Sequence, residues 1–433
     1  MMNRRNFLKY STAALASNAI MSNVTWAADP GYTGEFLLQV QVFAGWDVAS
    51  FCDPKQDADI NTWAATDTIK TAGNIKYAPF ANNGPLFENH HDKMLVVNGV
   101  NSFTNSHSAG RLYSFTGFNG GGYPSLSALF AAEKGARVPI PVIFNGGDFF
   151  TQGIVAASKL GNNATPFLQI LENEKPTNNN KPFLKQEQYS LIQQFNQRRS
   201  NNQLGVENTL PKEKIALADY DKSIQPSAAF SNFKPLLTQV EAKETTPHAN
   251  GRSYNYENKV LKQAKFSLLA FASGLSVSAD IVATGFDSHS DHDNKQAIAM
   301  SDLASTLDYI WVLAEELGIA DRLNVYVASD FGRTPFYNNN LGKDHWAVGS
   351  NLIMKKNAPW AGKVVGSTDA NLNAQKVNRA APSTSHDANG VMLEPKHVMQ
   401  AMRKQLGIDQ SPVATAFPLK IDAGDEVDIF GLG

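Results

Sequence analysis

The chain has 433 residues, 42% of them hydrophobic, and 38 basic against 40 acidic side chains, for a formal charge of −2. That length and apolar content suffice for one large α/β domain with insertions or for two ordinary domains. The near balance of charge gives no electrostatic footing for nucleic acid or an anionic membrane surface, and a single cysteine, Cys52, excludes an intrachain disulfide.

Residues 1–27 read as an address. Arg4 and Arg5 precede Phe7, Leu8 and Lys9, a mild apolar run extends from Ala13 to Met21, and the small-residue stretch VTWAAD follows. This resembles a twin-arginine export signal cut after Ala27, with Asn3 where Ser or Thr is usual; the alternative is a helical N-terminal arm. The signal implies the twin-arginine export machinery as a partner and a periplasmic or secreted location. Its apolar run is too short and too polar for a permanent membrane span. Export in the folded state also suits a domain that must hold without disulfides.

The mature chain, residues 28–433, opens with a buried strand from Phe36 to Phe43 that ends on Asp47. An acid there can hold a metal, or Asp47 or Ser50 can cap the next segment. His90-His91 reads as a surface pair. A second strand from Lys93 runs through a Ser/Asn-rich loop into a helix starting near His107, a geometry that suits an anion or nucleophile site. A Gly-rich loop follows, then a helix capped near Ser125 and a third strand from Pro141; no GxxxxGK[ST] phosphate loop is present. Gly153 to Asn180 reads as mixed loop. From about 185 to 262 the chain turns polar and reads as a helical insertion, with His248 in a solvent-exposed loop. The stretch VLKQAKFSLLAFASGLS is a helix closing near Gly274, SADIVATGFD a strand, SDLASTLDYIWVLAEELGI a helix and LNVYVASDF another strand. This β-α-β alternation predicts an α/β fold with a parallel sheet covered on both faces. His397 falls in a terminal helix.

Acids and imidazoles crowd between Gly285 and Trp346. Asp287, His289, Asp291, His292 and Asp293 follow one strand, Asp330 the next, and Asp344 and His345 lie in the loop beyond. Such massing at strand ends is what a hydrolytic metal centre needs. His386-Asp387 is a second, weaker candidate. Ser50, Ser108 and Ser125 sit where cap serines also sit, without a general base beside them in sequence.

The motifs GFDSH, ASDFGRTP, GKDHW, GSTD and LGID, with FAGWDVASFCDPK near the start, together resemble the domain-of-unknown-function family 1501. That family groups secreted bacterial proteins related to the alkaline phosphatase and sulfatase superfamily. The resemblance covers most of the mature chain. It implies an alkaline-phosphatase-like α/β/α sandwich with a mostly parallel central sheet, and two metal ions, usually zinc, or one calcium, at strand C-termini. By position Asp47 matches the first-strand ligand, Asp287 with His289 the carboxylate-histidine element, Asp330 the Asp of an Asp-His pair and His345 the last His. The pair reads Asp330-Phe331 here, and the Asp-x-x-x-His spacing is absent. In HSAGRLYSFTG, Arg111 and Thr116-Gly117 fall in register with the sulfatase nucleophile motif, and His107 occupies the nucleophile's place.

His107 can be a metal ligand, a covalent nucleophile or the mark of a member without catalysis. The expected function is an exported metal-dependent hydrolase acting on a small phosphate or sulfate ester through a metal-bound water. Its ligands would be Asp47, His107, Asp287, His289, Asp330 and His345, and its ion zinc, with calcium or manganese as alternatives. Arg111 and Arg333 would clamp the substrate anion, or else form ordinary ion pairs. The rival expectation is a catalytically degenerate binding or assembly protein with at most a structural metal.

Overall fold

The computed structural model describes residues 32–136, 138–159, 186–204, 228–245 and 251–431, and the isolated positions 210, 213, 214, 217, 247 and 248. Residues 1–31, which include the segment expected to direct export, and most of the loop expected between Gly153 and Asn180 lie outside the described residues. The strands are β1 (Phe36–Val42), β2 (Lys70–Ala72), β3 (Ile75–Tyr77), β4 (Met94–Asn101), β5 (Val142–Phe144), β6 (Ala157–Lys159), β7 (Ser278–Ala283), β8 (Leu323–Ser329), β9 (Gly332–Arg333), β10 (His345–Trp346), β11 (Val348–Lys355) and β12 (Lys363–Val365). The longer helices are α1 (Asn83–His90), α2 (His107–Thr116), α3 (Leu126–Lys134), α4 (Gln186–Leu204), α5 (Ala228–Lys243), α6 (Lys259–Ala272), α7 (His292–Glu316) and α8 (Pro395–Gln405).

Strand β1 has the sequence FLLQVQV, and all of it is buried. A run that apolar can be satisfied only by cover on both faces, which is the setting of a central parallel strand. It pairs parallel with β7 on one side and β8 on the other, Val40 facing Ile281 and Val327. The full order is β12-β4-β11-β8-β1-β7-β5-β6. Only β11 runs against its neighbours β4 and β8. The sheet is therefore mostly parallel, as expected.

Helices α6, α7 and α1 pack together on one side, while α2, α3 and α8 group separately against β8, β7 and β1. The result is an α/β/α sandwich. Along α7 the buried Leu303, Leu307, Ile310, Trp311 and Ala314 recur at helical spacing and form its core stripe. Each such side chain removed from water contributes roughly 1.5–3 kcal/mol. This helix is long and apolar enough to cross a membrane, and it lies mostly buried against its neighbours, as the core helix of a packed domain does.

Two histidines sit differently from expectation. His248 is buried, its Nδ1 3.0 Å from Glu316 Oε1 and its Nε2 2.6 Å from the Tyr256 hydroxyl, because its loop folds back on the end of α7. His90 is also buried, 2.8 Å from Asp308 on the same helix, and so is no surface residue. His397 is buried in α8, where its Nδ1 accepts from the Glu394 N–H in a reciprocal cap.

Candidate metal centre

The C-terminal ends of β1, β4, β7 and β8 point the same way, and the loops leaving them build one site. Asp330, just past β8, is its buried hub. Oδ1 accepts from Gly45 N–H at 2.8 Å, Ser329 Oγ–H at 2.8 Å and Phe331 N–H at 3.2 Å; Oδ2 accepts from Ala44 N–H at 3.2 Å. The remaining lobe of Oδ2 faces His107 Nδ1 at 2.7 Å. A carboxylate so surrounded only accepts, so His107 carries its hydrogen on Nδ1 and leaves the Nε2 lone pair free. Gly110 permits the approach: a Cβ there would lie 2.5 Å from the Asp330 carbonyl oxygen and push α2 away.

The same arrangement occurs twice more. His345 Nδ1 is 2.8 Å from the Asn105 carbonyl, which can only accept. His289 Nδ1 is 2.7 Å from Asp344 Oδ1. Both rings therefore also present Nε2 lone pairs. Burial, with the charges of Arg333 and the other imidazoles, lowers the His345 pKa against the pull of the Asn105 carbonyl, which favours the neutral, ligating form. The bond from His289 likewise holds the Asp344 carboxyl below its ordinary range.

The free atoms converge. His289 Nε2 stands 2.9 Å from His345 Nε2 and 3.3 Å from Asp287 Oδ1. One ligand atom each from His107, Asp287 and His345 falls within 4.8 Å of the others. Bonds of about 2.0–2.1 Å in a tetrahedral shell put neighbouring ligand atoms about 3.3 Å apart. Two imidazole lone pairs as close as those of His289 and His345 need a proton or a cation between them. Three imidazoles, each with its other nitrogen tied to a fixed acceptor, plus one carboxylate, fit a transition-metal ion of the zinc type. They do not suit calcium, which takes oxygen ligands.

The remaining expected residues have other partners. Asp47, expected as a ligand, is fully buried and closed off: Lys343 Nζ and His292 Nε2 each lie 2.8 Å from its Oδ2, and Ala49 N–H donates to Oδ1 at 2.9 Å. Lys343 is itself fully buried and also bonds Asn61 at 2.7 Å. Burial alone would raise the Asp47 pKa; the ammonium and the imidazole override it and hold the carboxyl well below its usual range. An ammonium thus fills the place where a second cation was expected. Asp330 does not face the other ligands directly and acts through His107.

Arg333, expected as an anion clamp, is fully buried and committed to the fold. Nε donates to Gly45 O at 3.0 Å, Nη1 to Lys343 O at 3.0 Å, and Nη2 to Asp287 Oδ1 at 2.9 Å and to Ala44 O. It aims Asp287, whose carboxyl it holds below the ordinary pKa despite some burial. Arg111 is half spent: Nε donates to Asp148 at 2.6 Å, its guanidinium lies over Phe43, and Nη1 comes within 3.8 Å of Asp330. His386 is exposed and apart from the centre, and Asp293 ties Tyr337 and Thr62 together.

Sequence reasoning missed Lys343 and underrated Asp344 and His292. The signal was present in GKDHW, where three consecutive residues take three jobs: Lys343 neutralises Asp47, Asp344 orients His289, and His345 ligates. Spacing alone could not separate these roles.

The fold and site define an α/β/α sandwich carrying a histidine-rich candidate metal centre at its strand ends. Residues 68–417 match the family described as "Protein of unknown function (DUF1501)", and the chain belongs to that family. No curated protein matches it. Among solved structures it is similar to Ps i-CgsB in complex with k-i-k-neocarrahexaose (8% identity, TM-score 0.37, covering 92% of this chain and 76% of that one). It is similar also to the alkaline phosphatase from the Antarctic bacterium TAB5 (8%, 0.34, 87% and 100%) and to the PsFucS1 sulfatase from Pseudoalteromonas sp. (11%, 0.36, 88% and 69%). These distant likenesses lend no weight to any activity, and the functional reading rests on the site's own geometry.

Proposed function

We propose that this is an exported, metal-dependent hydrolase of a phosphate or sulfate ester. The observation that carries the reading is the grouping of ligand atoms from His107, Asp287 and His345 within 4.8 Å of one another, with His289 Nε2 beside two of them, 2.9 Å from His345 Nε2 and 3.3 Å from Asp287 Oδ1. Asp330, Asp344 and the Asn105 carbonyl fix the tautomers, and Arg333 fixes the carboxylate. A bound divalent ion would supply Lewis acidity, offsetting negative charge on an ester oxygen and making water more acidic.

The chain's own contribution is orientation and access. Asp287 is 57% and His289 46% exposed at the side chain, so solvent and a small ester reach the ligands. Arg111, beside His107 and Asp330, is the guanidinium placed to attract an anionic group. His107 is read as a ligand and not as a nucleophile, because its free nitrogen faces the other ligand atoms. Export rests on the paired arginines at positions 4 and 5. The rival reading, a non-catalytic binding or assembly protein with at most a structural ion, draws on the complete engagement of Asp47 and Arg333 within the fold.

The test is metal analysis of protein purified from its export compartment, with a hydrolysis survey over phosphomonoesters, phosphodiesters and sulfate esters after zinc or manganese is supplied. Bound ion with turnover of one class is expected. Bound ion without turnover, or protein that takes up no ion, refutes the hydrolase and selects the rival.

A further inference from the structure

A cleft of about 400 Å³ opens beside the centre, lined by Thr334, Pro335, Phe336, Tyr337, Asn338, Asp344, Trp346 and Asn371. Asp344 belongs to both, since the same carboxylate that walls the cleft orients His289. A group held between His289 and His345 therefore has this cleft at its side.

The cleft's hydrogen-bonding capacity is largely spent within the protein. Asn338 Nδ2 donates to His289 O at 3.0 Å and Asp344 Oδ1 at 3.2 Å, and its Oδ1 accepts from Asn340 N–H and Gly342 N–H, each at 2.9 Å. Tyr337 donates to Asp293 at 2.6 Å, Trp346 Nε1 to Leu372 O at 2.8 Å, and the Thr334 hydroxyl to Phe336 O at 3.2 Å. Apart from Asp344 Oδ2 and the Asn371 amide, what the lining offers a ligand is ring face and proline edge. Phe336 is 50% exposed.

The neighbouring loops display further apolar groups. Leu341, 72% exposed, and Phe103, 65% exposed, both sit in left-handed backbone at φ 52° and 53°. Non-glycine residues enter that region only when the surroundings impose it. Phe103 is two residues from the carbonyl that holds His345, and the Leu341 carbonyl accepts from His292 N–H at 2.9 Å.

We infer that the ester's alcohol part is an apolar, aryl-type ring that rests against Phe336, Tyr337 and Trp346 while its anionic head meets the histidine cluster. This rests on the hydrolase reading for the head and on the cleft alone for the ring. A sugar would find few side-chain partners for its hydroxyls here, so the cleft would add little to its binding beyond what water gives. Aromatic walls favour ring faces.

The experiment pairs a non-hydrolysable probe with a substrate series. Binding of 2-naphthalenesulfonate to the zinc-supplied protein is followed by fluorescence, and 2-naphthyl, glucose-6-linked and ethyl esters of phosphate and sulfate are compared in turnover. Naphthyl binding and the lowest KM for the naphthyl ester are expected. Phe336→Ala should weaken probe binding and raise that KM about tenfold, far more than it raises the ethyl ester's KM. No probe binding, no effect of Phe336→Ala, or a sugar ester of lower KM overturns the inference. Probe binding that Phe336→Ala weakens, without turnover of any ester, upholds the cleft and refutes the hydrolase reading.

Discussion

Replacing Lys343 by Met tests the most consequential departure from expectation. Met keeps the chain's length and apolar stem but removes the ammonium that lies 2.8 Å from Asp47 Oδ2. Both partners have no side-chain exposure, so water cannot step in. Breaking a buried pair by removing one partner costs about 3–5 kcal/mol, because the surviving charge is left uncompensated. His292 keeps its bond to Asp47, which sets the expected loss toward the lower end, about 3 kcal/mol.

The sign with pH follows from Asp47. In the native chain its carboxyl is held well below the ordinary value, so its stabilising share is present above about pH 4 and is lost only as pH falls through the depressed folded pKa. Without Lys343, burial is opposed only by His292, so the folded pKa rises from its depressed native value. The variant's deficit should then be smallest near pH 4 and widen toward neutrality, as the buried carboxyl is forced to ionise. Guanidinium unfolding at pH 5 and at pH 7.5 reads this directly. A deficit below about 1 kcal/mol at pH 7.5, or one equal at both values, refutes the argument. The double variant Lys343→Met with Asp47→Asn, which removes both charges, should recover most of the loss.

Three further outcomes follow from the same geometry. Asp344→Asn keeps the shape but weakens the acceptor behind His289, and zinc affinity measured against a competing chelator should fall about 10–100-fold. Gly342→Ala removes no ligand side chain yet should abolish ion binding, since a Cβ there would meet His289 O at 1.9 Å and displace that residue; unchanged zinc titration would contradict it. Asp280, buried in β7 with Gln41 at 3.3 Å, has its pKa pushed up to about 8 by burial. A raised folded pKa contributes stability below the unfolded value, lost as pH climbs from about 4 through 8. Asp280→Asn should therefore raise the melting temperature at pH 9 and change it little, or lower it, at pH 5; the reverse order would refute the assignment.

Much of the scaffold was legible because its signals are local. The run FLLQVQV announces a strand buried on both faces, and the 3.6-residue spacing of Leu303, Leu307 and Trp311 announces a core helix. His289 and His345 could be picked out by type and position at strand ends. The partner of each nitrogen could not, because it is set by contacts across more than 200 residues: His107 with Asp330, Asp47 with Lys343, His345 with Asn105. Arg333 shows the limit most clearly. A guanidinium beside acids and histidines reads as an anion clamp in sequence, yet its position between three backbone carbonyls makes it a brace. His248 and His90 were misjudged for the same reason, since polar neighbours in sequence say nothing of the α7 carboxylates that bury them.

The ligand atoms come from the start of α2, the loop after β7 and strand β10, and the groups that orient them from other segments again. No partial assembly of the chain contains the set. Contacts this distant in sequence are late to form, because their loop-closure entropy is met only once the sheet is complete. Ion affinity at this centre is therefore a report on finished folding, and an ion taken up here tightens the last joints of the molecule together.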